Sequence, residues 1–199
     1  MRWDNLFDDL ETQLEQGLNA EEDDLHAEEE RLRLGRLSLR ERIVSVRDSY
    51  ERRADYSLRF LLISGESVPV RPATVGRDWL SGDIRDGSAA RRQCILPLTA
   101  IAGMSLTREQ VRRSLAPSER ATEATLATRL SVAFVLRDLC RRRVSLEIVT
   151  VAGSAFGTID RVGRDHLDLA VHEPGQPRRE GAVSEYRAVA LAHLAMVRL

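Results

Sequence analysis

Val75-Gly76-Arg77-Asp78-Trp79-Leu80 returns 87 residues later as Val162-Gly163-Arg164-Asp165-His166-Leu167. Each copy lies between two runs of β-forming residues, so the same hairpin is spelled twice. Working outward, LRFLLISG at Leu58–Gly65 stands 88 residues before LEIVTVAG at Leu146–Gly153. Downstream, Cys94–Met104 matches Arg187–Val197 in pattern at an offset of 93. Arg36-Leu37-Ser38 and Arg129-Leu130-Ser131 recur in the helical stretches that precede the two strand series. Ordered matches at a nearly constant offset mark a repeated supersecondary unit, here a helix followed by strands. The offset grows only between the third and fourth strands, where Glu173–Glu180 reads as a longer loop.

The local signals agree with that layout. Ser38 and Glu41 make the S-x-x-E box that opens a helix, followed by Leu39, Ile43, Val44 and Val46 and fading near Asp48. Ser57–Ile63, Ser67–Val75 and Trp79–Ile84 alternate as strands, and Gln93–Met104 closes the series as one or two more. Gly76 and Gly163 are expected at positive φ in type II′ turns. Helical signals resume at Thr107–Leu115, break at Pro117 and return over a long stretch, Ala124–Arg142. The chain therefore divides into an acidic arm (1–35), a first unit (36–106) and a second unit (107–199).

Charge sharpens this division. The 199 residues carry a formal net charge of −1, which conceals an uneven distribution. Residues 1–30 hold twelve acids and one arginine (−11); the rest hold nineteen acids and twenty-nine arginines (+10). All thirty basic residues are arginine, which fits either a high-GC codon bias or selection for bidentate contacts to phosphate and carboxylate. The arm reads as an amphipathic helix with Trp3, Phe7, Leu10 and Leu14 on one face. Those four are the candidate protein-docking residues. Leu18, Leu25, Leu32 and Leu39 recur every seven residues, but Glu22, Glu29 and Arg36 occupy the companion positions, so the seam is half empty. Gly35 is the expected stop of this helix.

A helix, a strand, a Gly turn, Gly157-Thr158-Ile159-Asp160-Arg161-Val162, a tight turn and Asp165-His166-Leu167-Asp168-Leu169 resembles the Sm-like small barrels of the SH3-like class. The resemblance covers roughly 36–106 and 124–199. It implies an α+β fold of two tandem small antiparallel β-barrels, each preceded by a helix, with an acidic N-terminal helix. Many Sm-like proteins bind RNA as rings. Where their RNA binders place an Asn, this chain has Asp168 and, in the first copy, Ser81; an anion there repels phosphate. The whole chain also resembles uncharacterised proteins of high-GC bacteria, which implies no activity.

Chemistry-bearing residues are sparse. His166 and His172 would lie roughly 20 Å apart along a strand and cannot clasp one ion, and no third ligand accompanies His166 and Asp168. Cys94 and Cys140 make neither a disulfide framework nor a zinc site, and Cys140 falls on an apolar helical face with Val132, Leu136 and Leu139. No phosphate loop, dinucleotide fingerprint, nucleophile elbow or H-E-x-x-H motif is found. The expectation is a protein that is not an enzyme, with no metal, no cofactor and no small-molecule substrate. A reducing cytoplasm follows from the cysteine usage and the acidic first twenty residues, and no apolar run is long enough to span a membrane.

Two function classes lead, ahead of an enzyme of unrecognised type. One is an interaction or regulatory protein whose partner is another protein or a second copy. The other is RNA binding on the arginine-rich surfaces, gated by the acidic arm. For the second, Trp79 and His166, taken as outward-facing rings beside Arg77 and Arg164, would stack bases. Arg91, Arg92, Arg141, Arg142 and Arg143 are the remaining candidates for phosphate, with Arg178 and Arg179 forming a further basic pair.

Overall fold

The computed structural model describes residues 24–50, 56–88, 92–116, 126–176 and 178–199. The expected docking residues Trp3, Phe7, Leu10 and Leu14, and also Arg91, lie outside them. The chain divides into two compact units, Met1–Glu41 and Arg42–Leu199.

In the first unit, helix α1 covers 24–36, so it runs through Gly35 rather than stopping there. Gly35 does not adopt a left-handed φ, and the helix is laced by Arg33–Glu30 and Arg31–Glu28 pairs one turn apart. Leu25 and Leu32 are exposed along it, in keeping with a half-empty seam. Helix α2 (Leu39–Tyr50) begins at the expected capping box. The Ser38 N–H donates to Glu41 Oε2 (2.7 Å), and Ser38 Oγ accepts from the Glu41 N–H (3.2 Å).

The second unit is built on one antiparallel sheet of ten strands. The first five are β1 (Leu58–Leu62), β2 (Ser67–Val75), β3 (Trp79–Ile84), β4 (Arg92–Pro97) and β5 (Ile101–Ser105). Helix α3 (Arg108–Leu115) follows, capped by Thr107 and Gln110, and then α4 (Leu126–Arg129) and α5 (Val132–Arg141). The last five are β6 (Ser145–Thr150), β7 (Gly153–Val162), β8 (His166–Val171), β9 (Glu185–Ala190) and β10 (Leu194–Arg198). Sheet order is β5-β1-β2-β3-β4-β10-β6-β7-β8-β9. The fold is α+β, with five helices among the described residues, and the sheet is open, ending in β5 and β9.

The second five strands repeat the pairing of the first five, register for register. Val75↔Leu80 recurs as Val162↔Leu167, Phe60↔Met104 as Ile148↔Val197, and Leu80↔Leu96 as Leu167↔Val189. The irregularities recur too. The β2–β3 ladder slips between Pro72 and Thr74, and the β7–β8 ladder slips between Ile159 and Arg161. A bulge inherited at the same position bends each set of strands in the same place.

Alternation buries one face of each strand. Leu58, Phe60, Leu80 and Leu96 fill the first set, and Leu146, Ile148, Ile159, Leu167 and Leu169 the second. The sets are not separate bodies. Ile95 and Trp79 of the first pack into the core of the second, beside Leu136, Leu194 and Val197. Strands β4 and β10 carry the sheet across, with Val197↔Ile95 and Arg198↔Cys94 in register. Gln93 and Leu199 exchange both backbone hydrogen bonds, at 3.3 and 2.9 Å. Arg198 reaches across the joint to Glu66 while also holding Glu147 (3.1 Å).

Two expectations need correction. The helical stretch over Ala124–Arg142 is interrupted at Leu130-Ser131, among its described residues. The Leu130 carbonyl turns aside to accept from Trp79 Nε1 (2.9 Å) and the Arg77 N–H (3.3 Å), and the Val132 N–H donates to Asp78 Oδ1 (2.8 Å). The first hairpin thus supplies the N-terminal cap of α5, which Ser131 leaves unmade. Second, neither Gly76 nor Gly163 has a left-handed φ. Each donates its N–H to the carbonyl of the residue three further on, at 2.8 Å, leaving Arg77-Asp78 and Arg164-Asp165 as the central pair. Glycine is favoured for a different reason, the room it leaves for a neighbouring ring. A Cβ on Gly76 would lie 2.2 Å from Trp79 Nε1, and one on Gly163 2.6 Å from His166 Cε1.

Candidate interaction edge

The residues expected to bind nucleic acid are not brought together as one surface. Trp79 is only 6% exposed, against the expectation of an outward ring. It does leave the inner face of its own strand set, but the second set covers it and Leu130 takes its N–H. His166, at the equivalent position, has a side chain 52% exposed, with Nδ1 2.8 Å from Asp165. The Asp165 carboxylate raises the His166 pKa above its ordinary value, and its own is lowered in return. Arg77 is exposed and 3.7 Å from Asp78, and Arg164 is exposed at the tip of the second hairpin.

Most of the other arginines face carboxylates. Arg92 pairs with Asp86. Arg141 and Arg142 both hold Asp138, at 2.5 and 2.7 Å, and keep its carboxyl below the usual range. Arg143 donates to Asp160 (2.8 Å), as does Arg178 from the β8–β9 loop, and Asp160 is likewise held low, Arg178 being the larger cause. Arg143 ends α5 with φ 54°, its N–H and that of Val144 closing on Cys140 and Leu139 in the pattern usually given to glycine. A guanidinium already shared with a carboxylate offers less to phosphate than a free one.

Two of the reactive side chains are enclosed by the core. Burial pushes the Cys94 thiol up to about 12. His172 is buried, bonded to Thr158 Oγ1 (2.9 Å) and set edge-on to Phe156. Among the described residues no cluster of three His, Cys, Asp or Glu could hold a metal. No described helix is long and apolar enough to cross a membrane.

What the fold leaves open is backbone. In β4, Gln93 and Ile95 turn their N–H and C=O groups toward β10. Tyr186 and Ala188 hold the equivalent places in β9, and among the described residues no strand pairs with that side. Beside β9 runs a groove of about 360 Å³, bordered by Thr150, Gly153, Ala188, Ala190 and His193. At the other end of the sheet, β5 pairs with no strand on the side away from β1 among the described residues. Met104 and Leu106 there correspond to Val197 and Leu199, the residues β10 presents to β4.

The sequence singled out none of these backbone positions, because edge status depends on sheet order. A trace is visible afterwards: Cys94-Ile95, both buried, are replaced by Arg187-Ala188, both exposed. Charge on an edge strand is a common means of discouraging indiscriminate pairing. Compared with known proteins, the chain matches no family model, no curated protein and no solved structure.

Proposed function

We propose that this protein is a non-enzymatic interaction module that binds an extended protein segment by adding it to the open β9 edge of its sheet. The reading takes the two strand sets as tandem Sm-like small barrels. One observation carries it: the equivalent edge, β4, already holds an added strand, β10, in the same molecule. Main-chain hydrogen bonds supply the affinity of such β-augmentation, and alternate side chains supply its selectivity. The groove beside β9 is lined largely by small side chains, with His193 and Arg187 at its border. RNA binding is the weaker reading, since Trp79 is not accessible and Arg92, Arg141, Arg142 and Arg143 are paired with acids.

The test uses a labelled peptide of residues 192–199, which contains β10, titrated with the full chain while its fluorescence anisotropy is read. Binding is expected, and Ala188→Pro, which removes an outward N–H without touching the β8–β9 ladder, should abolish it. Binding that survives Ala188→Pro, or that falls steeply with salt in the manner of a phosphate-driven contact, counts against the reading.

A further inference from the structure

The first hairpin does more than join β2 to β3, because it caps a helix. The Arg77 N–H (3.3 Å) and Trp79 Nε1 (2.9 Å) both donate to the Leu130 carbonyl, and Asp78 Oδ1 accepts the Val132 N–H (2.8 Å). These bonds bracket Ser131, the N-cap of α5, whose own side chain makes no capping bond. Val132 and Val135, on one face of that helix, pack against the core that holds Trp79.

The second hairpin has the same backbone and offers the same groups. The Gly163 N–H donates to the His166 carbonyl and the Leu191 N–H to the Asp165 carbonyl, both at 2.8 Å. Gly76 and Leu98 do the same with Trp79 and Asp78, at 2.8 and 2.9 Å. The His166 ring sits over Gly163 as the Trp79 ring sits over Gly76. Among the described residues, however, no helix starts on this hairpin. The Arg164 N–H and His166 Nε2 have no partner there, and Asp165 spends Oδ1 on His166 Nδ1 (2.8 Å), leaving Oδ2 for an incoming N–H. Arg137 of α5 donates to the Gly163 carbonyl (3.2 Å), which steadies the hairpin without using those groups.

We propose that the β7–β8 hairpin is a docking site for the N-terminus of a helix from another protein, with Asp165 capping its first N–H and Arg164 and His166 taking the carbonyl two residues earlier. The surface is distinct from the β9 edge, and the inference does not rest on the reading of β9 as a strand acceptor.

The occupied hairpin states what such a helix looks like. Its N-cap side chain makes no bond of its own, so the Asp165 carboxylate supplies a cap that it lacks. That carboxylate also meets the positive end of the helix dipole. Its first turn is apolar at the first and fourth positions, where α5 has Val132 and Val135. Helix α2 of a second copy opens at the analogous Arg36-Leu37-Ser38 but fails the first requirement, because Ser38 and Glu41 already cap each other. His166 presents a smaller, half-exposed ring where Trp79 is buried, so this dock is the weaker and exchangeable one.

The probe is a labelled peptide of residues 126–142 carrying Cys140→Ser, the sequence the first hairpin holds, titrated with the full chain by fluorescence anisotropy. Binding is expected; it should weaken about fivefold or more in Asp165→Ala and survive in Asp165→Asn, whose amide oxygen still caps. Val132→Pro in the peptide removes the N–H that Asp165 accepts, while proline at the first helical position leaves the helix intact. That change should weaken binding to the unmodified chain and make no further difference to Asp165→Ala. No binding, or equal binding to the unmodified chain and Asp165→Ala, overturns the inference. So does a peptide of residues 36–50 that binds as tightly, since the occupant would then be a second copy. The two surfaces fail separately: Ala188→Pro should leave the 126–142 peptide bound, and Asp165→Ala should leave the 192–199 peptide bound.

Discussion

One methyl group added at Gly76 and the same group added at Gly163 should have very different costs, although the two glycines hold equivalent places in equivalent hairpins. At Gly76 the new Cβ would lie 2.2 Å from Trp79 Nε1, 2.4 Å from Cε2 and 2.8 Å from Cδ1. Trp79 cannot step aside cheaply. It is buried in the core the two strand sets share, and its N–H is committed to Leu130 O. Displacing it costs about 1–3 kcal/mol of overpacking and about 1 kcal/mol for the strained hydrogen bond. The sum is roughly 2–4 kcal/mol, which for a body of this size lowers Tm by roughly 4–16 °C. At Gly163 the Cβ meets His166 Cε1 at 2.6 Å and the two ring nitrogens at 3.0 Å. That imidazole is half exposed and can rotate into solvent, losing only a solvent-screened surface contact to Asp165. Thermal unfolding of Gly76→Ala and Gly163→Ala, followed by circular dichroism, makes the comparison directly. Equal losses, or a neutral Gly76→Ala, would refute the claim that Trp79 is wedged against its turn by the second strand set.

Three other expectations follow from local geometry. Arg143→Gly should be close to neutral in urea denaturation, because relief of the left-handed φ offsets an exposed pair with Asp160, whereas Arg143→Val should cost roughly 1–2 kcal/mol. The Cys94 thiol, with its pKa pushed up by burial to about 12, should resist iodoacetamide in the native protein and react on unfolding, as read by mass spectrometry. His166, raised by Asp165, contributes stability that is fully present below the ordinary imidazole range and lost as pH rises through its folded value; Asp165, lowered, contributes stability lost as pH falls through its own. The pair is therefore intact from weakly acidic pH up to the His166 midpoint, and an NMR titration should show that midpoint falling in Asp165→Asn.

Much of the architecture is written in short-range pattern. The strand runs, the capping box at Ser38 and Glu41, the Thr107 helix start and the offsets 87, 88 and 93 are properties of neighbouring residues, and each reappears in the sheet register. What the sequence conceals is set by elements far along the chain. The helix over Ala124–Arg142 looks continuous until Trp79 and Asp78, some fifty residues upstream, draw Leu130 and Val132 out of it. Gly76 looks like a residue chosen for its φ until the ring it accommodates is placed. At Gly76 the local reading identifies the right residue and gives the wrong cause for it; at Leu130-Ser131 it misses the break altogether.

The candidate site was hidden by the same rule in a stronger form, because a repeat guarantees equivalent backbone without guaranteeing equivalent neighbours. Trp79 and His166 occupy one register position, yet one is sealed by the second strand set and the other is half exposed. Ile95 and Ala188 divide the same way, as do Cys94 and Arg187. Each first-set residue is larger or more apolar, and each second-set residue is smaller or charged. That gradient suits an edge at β4 that holds its strand permanently and an equivalent edge at β9 that takes a segment reversibly, as proposed above. A strand seated on β9 would cover Arg187 as β10 covers Cys94 and would draw it from Glu185, and desolvating a guanidinium that loses its partner opposes what the ladder hydrogen bonds return. Replacing Arg187 with Val removes that penalty. It should strengthen binding of the 192–199 peptide, read by fluorescence anisotropy, and an unchanged affinity would mean that Arg187 does not set the strength of the edge.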